Sequence, residues 1–224
     1  LRRINVSIDT LKTDRFAALT KRGNLDDVLA GLFAAKKAGM SPIKVNAVII
    51  RGTNDDEILD LVDFARTNGF EMRFIEYMDV GNANAWILEK TVTKKEILET
   101  VNARFPVREI GRDHGSAPAV DYEFLDGAGE IGIIGSVTEP FCSSCTRVRL
   151  TADGKLVTCL FTESGFDLKA LLRSASSDDE IREQIARIWG ARTDRYSDLR
   201  WEQVRNGSYQ AGDHKKIEMI TLGG

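Results

Sequence analysis

The three cysteines of the chain are the residues whose type and spacing most clearly suggest chemistry. All of them lie in one stretch, FCSSCTRVRLTADGKLVTCLF, in the order Cys142, Cys145 and Cys159. Two intervening residues allow the first two sulfurs to face one metal centre, and thiolates are preferred ligands of zinc, copper(I) and iron–sulfur clusters. The spacing therefore predicts a metal site.

Three thiols suit some metal centres better than others. A disulfide framework needs an even number of cysteines and a structural zinc site needs four ligands. The chain has only two histidines, His114 and His214, and both are distant in sequence. A cubane iron–sulfur cluster held by three cysteines keeps one iron open to a substrate atom. Zinc with a recruited histidine or carboxylate stays open as the alternative.

Two arginines, Arg147 and Arg149, stand between the second and third cysteine. Residues two apart in a strand point to the same side. Two guanidinium groups on one side form a fork suited to phosphate oxygens. This pair therefore predicts an anion site beside the metal, with two ordinary charges on a solvated strand face as the alternative.

The overall composition limits the kinds of binding partner that we expect. The net charge is −3 and hydrophobic residues make up 42% of the chain, so there is no general reason to expect nucleic acid or an anionic membrane as partner. No apolar run approaches the ~18–20 residues of a membrane span, and no signal peptide is recognisable. With an odd cysteine count, which suits a reducing compartment, these features predict a soluble, cytoplasmic protein.

The first eighty residues alternate between strand and helix patterns. Period-two alternation predicts strands at 3–9, 43–50 and 72–78, and helical spacing of apolar residues predicts helices at 24–38 and 54–69. This order indicates an α/β fold with a parallel sheet, in either an open sheet or a (β/α) barrel. Polar residues on one face of the strands favour the barrel, where they would line a ligand site; they are Asn5, Ser7, Asp9, Lys44, Asn46, Arg73 and Glu76.

The regular alternation of strand and helix patterns ends after residue 80. A helix is predicted at 94–104 and strands near 106–110, 121–125 and 130–135. The cysteine stretch reads as a hairpin turned at Asp153-Gly154, and two helices follow at 166–175 and 178–190. The prediction is a barrel part over 1–80 and a smaller α+β cluster-binding region over 81–224. Because Leu1 begins directly in a strand pattern, we expect the chain to be the carboxy-terminal part of a longer protein.

The cysteine stretch resembles the cluster motif of the molybdenum cofactor biosynthesis protein A family, the radical S-adenosylmethionine enzymes that act as GTP 3′,8-cyclases. Further resemblance lies in RINVSIDTL, SPIKVNAVIIRGTND, MRFIEYMDVGN and the terminal Gly223-Gly224, in family order and at family-like spacing. It covers essentially the whole chain. The resemblance implies an incomplete (β/α) TIM-like radical-SAM barrel followed by a smaller cluster-bearing region.

The resemblance also implies a chemistry. In the family, a first [4Fe-4S] cluster on a Cys-x3-Cys-x2-Cys loop cleaves S-adenosylmethionine reductively, and the resulting radical starts the conversion of GTP to (8S)-3′,8-cyclo-7,8-dihydroguanosine 5′-triphosphate. This chain has no such loop, so we expect the first cluster in an amino-terminal part and predict no activity for the chain alone. Expected partners are GTP as substrate, a homodimer, and the downstream cyclic pyranopterin monophosphate synthase.

The resemblance assigns roles to particular residues by position. They comprise ligands of a second [4Fe-4S] cluster (Cys142, Cys145, Cys159), GTP contacts (Lys44, Arg73, Arg147, Val148, Arg149), S-adenosylmethionine contacts (Ser7, Met78) and a catalytic tail (Gly223, Gly224). Glycine at the tail would let the backbone approach a ligand without a Cβ clash. Two other functions remain open, namely another radical enzyme with an auxiliary cluster and a non-catalytic zinc-binding or partner-binding module.

Overall fold

A computed structural model describes residues 1–82, 84, 86–210 and 214–222. The chain divides into two compact units. The first unit combines Leu1–Tyr77 with Leu88–Glu139, and the second combines Met78–Ile87 with the described part of 140–224.

A six-stranded sheet forms the centre of the first unit, with the strand order β1-β2-β3-β6-β5-β4. The strands β1, β2, β3 and β6 run parallel, while β5 and β4 continue the sheet antiparallel. The six strands are β1 (Ile4–Ser7), β2 (Ile43–Ile49), β3 (Glu71–Glu76), β4 (Val107–Gly111), β5 (Val120–Phe124) and β6 (Glu130–Ile134).

Four helices accompany this sheet and share one apolar core with it. Burial alternates strictly along β2, so that its odd-numbered residues are buried and its even-numbered residues are only half-buried. One face of the sheet therefore carries the core, as period-two patterning requires. The helices are α1 (Thr13–Thr20), α2 (Leu25–Lys37), α3 (Ile58–Asn68) and α4 (Lys94–Arg104).

The predicted strand–helix–strand–helix–strand order of the first eighty residues is confirmed, and the fold is a mixed α/β fold with a parallel sheet. Helix α1 was absent from the prediction. It has eight residues, and Phe16 alone is buried among them, so its sequence lacks the apolar stripe that marks longer helices.

The second unit contains a small antiparallel sheet of three short strands, in the order β7-β8-β9. The predicted hairpin is present, because Arg149 pairs with Val157 and Leu150 with Leu156. Gly154 has φ +85° at the turn, a conformation that glycine adopts without strain. The elements are β7 (Arg149–Leu150), β8 (Lys155–Val157), β9 (Phe166–Asp167), α5 (Leu168–Arg173), α6 (Asp178–Gly190) and α7 (Tyr196–Arg205).

Helix α7 was also absent from the prediction, whose last helix ended at residue 190. Its buried residue is Arg200 and not an apolar side chain, so apolar periodicity could not reveal it. Across the described ranges, no helix has the length and apolar character needed to cross a membrane.

Candidate active site

One polar row crosses the parallel strands of the first unit. Ser7 pairs in register with Asn46, and Asn46 with Arg73, so the three side chains share one face of the sheet. This is the face opposite the core. The Oδ1 atom of Asn46 is buried and has no hydrogen-bond partner among the described residues. An unsatisfied buried acceptor costs free energy and is consistent with a site for a ligand that donates a hydrogen bond.

Lys44 lies on the same face as this row, two residues before Asn46 on β2. It is in register with Asn5 on β1 and Glu71 on β3. Its Nζ is 2.9 Å from a carboxylate oxygen of Glu71. The sheet thus brings three predicted site residues, Ser7, Lys44 and Arg73, to one face.

Gly132 on β6 allows Arg73 and Asp121 to approach each other across the sheet. Arg73 is in register with Gly132, and Gly132 with Asp121. A Cβ at position 132 would lie 2.7 Å from Asp121 Oδ1 and 3.3 Å from Arg73 Nε. Burial raises the pKa of Asp121, and the Arg73 charge opposes that shift only partly.

Glu76 does not belong to this polar face, contrary to the prediction. It lies an odd number of residues from Arg73, so its side chain points to the opposite face with Phe74. Its carboxylate is fully buried and accepts hydrogen bonds from the backbone N–H of Lys94 at 2.6 Å and of Val137 at 2.7 Å. Glu76 therefore has a structural role.

The first two cysteines of the second unit lie in one tight turn. Cys142–Ser144 form a short 3-10 helix, and the backbone N–H of Cys145 donates to the carbonyl of Cys142 at 3.2 Å. Cys159 follows β8, and its sulfur accepts from the N–H of Phe161 at 3.5 Å. Burial raises the pKa of Cys159 and the charges of Asp194 and Cys142 raise it further, while the hydrogen bond from Phe161 opposes the shift.

Arg147 faces the sulfur of Cys145. Burial by itself would raise the pKa of Cys145, but hydrogen bonds from Arg147 and its positive charge outweigh burial and lower the pKa. The Arg147 guanidinium also lies over the ring of Phe141, 4.7 Å from its centroid. These contacts favour a thiolate at Cys145.

Arg149 is half-buried like Arg147, whereas Val148 between them is 48% exposed. Arg147 precedes β7 and so does not form a strand pair with Arg149, but both side chains are partly withdrawn from solvent. Burial lowers the pKa of Arg149 and the Arg147 charge lowers it further, while the charges of Cys145 and Cys159 oppose the shift. Two crowded guanidinium groups close to the thiols form an arrangement that a bound anion would stabilise.

The three free cysteines are the donor set that this segment offers to a thiolate-held cluster. Two of the three sulfurs accept N–H hydrogen bonds, from Arg147 to Cys145 and from Phe161 to Cys159, and hydrogen bonds to sulfur tune such clusters. Within the described ranges, no three His, Cys, Asp or Glu side chains come close enough together to hold a single metal ion. The two histidines have other partners, as His114 contacts Ser116 and His214 contacts Phe161 and Glu163.

Arg192 is a residue near the cysteines that sequence reasoning missed. Its guanidinium donates to the carbonyl oxygen of Cys145 and lies 3.0 Å from Asp194. It stands 47 residues after Cys145, at the end of α6, and no local pattern indicates the contact. Only the folding of the second unit reveals it.

Two groups of predicted site residues remain. Met78 is half-buried in the second unit, and its carbonyl accepts from Asn84 Nδ2 at 2.9 Å. Gly223 and Gly224, the predicted catalytic tail, lie outside the described residues.

Comparisons with known proteins find similar sequences over the whole chain. Residues 70–198 match the family model described as Molybdenum Cofactor Synthesis C, and residues 1–65 match that of the Radical SAM superfamily. A GTP 3′,8-cyclase of Acidothermus cellulolyticus is 43% identical, with 100% of this chain and 67% of the relative covered. GTP 3′,8-cyclase 1 of Mycobacterium tuberculosis is 43% identical and GTP 3′,8-cyclase of Staphylococcus haemolyticus 42%, with 63% and 65% of those relatives covered. The chain thus spans about two thirds of the length of these relatives.

Proposed function

The chain belongs to the molybdenum cofactor synthesis family that includes curated GTP 3′,8-cyclases, and we propose that it is the GTP-binding part of such an enzyme. The proposed reaction converts GTP to (8S)-3′,8-cyclo-7,8-dihydroguanosine 5′-triphosphate with S-adenosylmethionine as co-substrate. The observation that carries the proposal is the segment in which three cysteines accompany two half-buried arginines.

Cys142, Cys145 and Cys159 are the proposed ligands of a second [4Fe-4S] cluster. When bound, a cluster with three protein thiolates supplies an iron with an open position for a substrate atom. Arg147 favours the thiolate of Cys145 through its hydrogen bonds at 3.1 and 3.3 Å. Arg192 holds the carbonyl of the same residue and so orients the turn.

Four basic residues and one valine are the proposed contacts to GTP. In the first unit these are Lys44 and Arg73, which now face the carboxylates of Glu71 and Asp121. In the second unit they are Arg147, Val148 and Arg149. Charge-assisted hydrogen bonds to phosphate oxygens are stronger than neutral ones, so a triphosphate can compete with these internal partners.

Ser7 and Met78 are the proposed contacts to S-adenosylmethionine. Ser7 is exposed at the end of β1 and pairs in register with Asn46. The unsatisfied Oδ1 of Asn46 supports a neighbouring ligand with hydrogen-bond donors, such as ribose hydroxyl groups.

The finer parts of the proposal rest on family membership. They are an incomplete (β/α) TIM-like barrel over 1–80, a cluster-binding region over 81–224, a first cluster on an amino-terminal part, a catalytic role for Gly223 and Gly224, and no S-adenosylmethionine cleavage by this chain alone. A homodimer, the cytoplasm as location and the downstream synthase as pathway partner belong to the same set.

GTP affinity tests the substrate assignment. The variant Lys44→Ala/Arg147→Ala/Arg149→Ala is compared by calorimetry with Lys95→Ala/Arg182→Ala/Arg195→Ala, which removes the same charge from exposed surface ion pairs. We expect the first variant to lose at least about 100-fold in affinity, because each lost contact is a charge-assisted hydrogen bond. Equal affinity of both variants would show that the substrate assignment is wrong.

Anaerobic reconstitution with iron and sulfide tests the metal assignment. Uptake of a cluster by the wild type, and its loss in Cys142→Ser and Cys159→Ser, is the expected result. Tetrahedral cobalt spectra without cluster uptake would instead indicate a zinc site. Production of 5′-deoxyadenosine by the chain alone would contradict the expected need for an amino-terminal part.

A further inference from the structure

A buried charge cluster in the second unit centres on Asp79. Its carboxylate accepts from the hydroxyl of Tyr196 at 2.5 Å, from the hydroxyl of Tyr209 at 3.1 Å and from Lys216 Nζ at 2.9 Å, and it is paired with Arg200. The side chains of Asp79, Arg200 and Lys216 are nearly inaccessible to solvent. Breaking a buried ion pair strongly destabilises a folded protein. This cluster therefore fixes Lys216 in place.

Asn82 also binds the carboxy-terminal segment that contains Lys216. Its Nδ2 donates to the carbonyl of Lys216 at 2.6 Å, and its Oδ1 accepts from the N–H of Lys216 at 2.9 Å. The side chain thus pairs with both backbone groups of one residue. The backbone N–H and Nδ2 of Asn82 also donate to Glu218 Oε1, at 3.0 and 2.8 Å.

Gly81 permits the close approach of Glu218. The residue is buried and has φ +63°, which favours glycine. A Cβ at this position would lie 2.5 Å from Glu218 Oε2. The sequence Asp79-Val80-Gly81-Asn82 therefore combines three features. The carboxylate of Asp79 binds Lys216, Gly81 leaves room for Glu218, and the amide of Asn82 hydrogen-bonds to the backbone of Lys216.

The beginning of the carboxy-terminal segment is held from a second side. The ring of His214 stacks on Tyr196 with centroids 4.9 Å apart, and Phe161 stacks on Tyr196 at 4.6 Å. The backbone N–H of Ile217 donates to the carbonyl of Thr162 at 2.9 Å. Residues 214–218 are therefore docked at several points, ahead of the proposed catalytic glycines.

We propose that residues 79–82 are a clamp that docks residues 216–218 and thereby positions the carboxy-terminal tail for the reaction. Asn82 and Asp79 are positioning residues in this inference and contact no substrate. The role in the reaction rests on the proposed function, whereas the docking of residues 216–218 does not.

Hydrogen–deuterium exchange of the full-length protein tests the docking. The variants are Asn82→Ala and Lys216→Met, with the neighbouring exposed lysine as the matched control in Lys215→Met. We expect amide exchange in 214–222 to become about tenfold faster in both variants and to stay unchanged in the control, because only the variants lose hydrogen bonds to the clamp. If Lys216→Met does not fold, Asn82→Ala carries the comparison.

Steady-state kinetics with GTP distinguishes docking from positioning. We expect kcat to fall at least tenfold in Asn82→Ala while the dissociation constant for GTP stays within twofold. Unchanged exchange in the variants would overturn the clamp, and faster exchange with unchanged kcat would overturn its positioning role. A wild-type protein with no GTP turnover, combined with faster exchange in the variants, would overturn the proposed function and support the clamp.

Discussion

The guanidinium of Arg147 donates two hydrogen bonds to the sulfur of Cys145, from Nε at 3.3 Å and from Nη2 at 3.1 Å. A residue expected only to bind phosphate thus also contacts a proposed cluster ligand. The two roles are compatible because a guanidinium has five N–H donors. Arg147 can therefore contact the proposed cluster ligand Cys145 and a bound phosphate through different N–H groups.

Replacing this arginine should make Cys145 less reactive. In metal-free protein with Cys142→Ser and Cys159→Ser, Arg147→Gln removes the contacts that lower the pKa of Cys145. The pKa then rises and the thiolate fraction at a given pH falls. Iodoacetamide alkylation should therefore shift to higher pH. Arg195→Gln, at an exposed ion pair in the same unit, serves as control, and coincident pH profiles for both proteins would refute the contact.

Gly132→Ala should destabilise the first unit by about 1–3 kcal/mol, because the added methyl group overpacks a sheet position. Its Cβ would meet Asp121 Oδ1 at 2.7 Å and Ala119 Cβ at 3.3 Å. Gly31→Ala is the matched control, since Gly31 lies inside α2 with open space around its Cβ position. That control should gain about 0.5–1 kcal/mol. Urea unfolding measures both, and a neutral Gly132→Ala would contradict the close approach of Arg73 and Asp121.

Glu76→Gln should cost about 3 kcal/mol or more in free energy of unfolding, because an amide N–H would face backbone N–H donors in a buried site. The carboxylate accepts from Lys94 N, Val137 N, Thr138 N and Thr138 Oγ1. Glu89→Gln, at an exposed position, should change stability by less than about 0.5 kcal/mol. Chemical denaturation compares the two variants, and similar small changes in both would restore Glu76 as a candidate ligand contact.

Tyr196 and Tyr209 should not ionise near the ordinary pKa of 10.0, because burial and the Asp79 charge raise the pKa of both. Burial and the Asp79 charge raise the pKa of Tyr209 to about 12. A raised pKa contributes stability that is complete below pH 10 and is lost as the pH rises through the raised value. Ultraviolet absorbance recorded at increasing pH measures the ionisation of the tyrosines directly. Ionisation of all four tyrosines near pH 10 while the circular dichroism stays native would count against the Asp79 cluster.

Several features of the protein could be predicted from sequence because they depend on local periodicity. The alternation of β2 and the apolar spacing of α2 identify these elements with their bounds almost correct, since each buries one face or stripe. The Asp153-Gly154 turn also required only local information. Helices α1 and α7 escaped this reasoning because Phe16 and Arg200 are the buried residues of each.

Tertiary structure alone decided which side chains meet. The parallel pairing of β3 with β6 places Gly132 between Arg73 and Asp121, and sequence gives no rule for pairing strands so far apart. The contacts of Arg192 with Cys145 and of Lys216 with Asp79 span 47 and 137 residues. Sequence by itself determined the residue types, the thiol spacing and the period of each element. The folded chain decided the partners, because contacts between distant residues depend on how the elements pack.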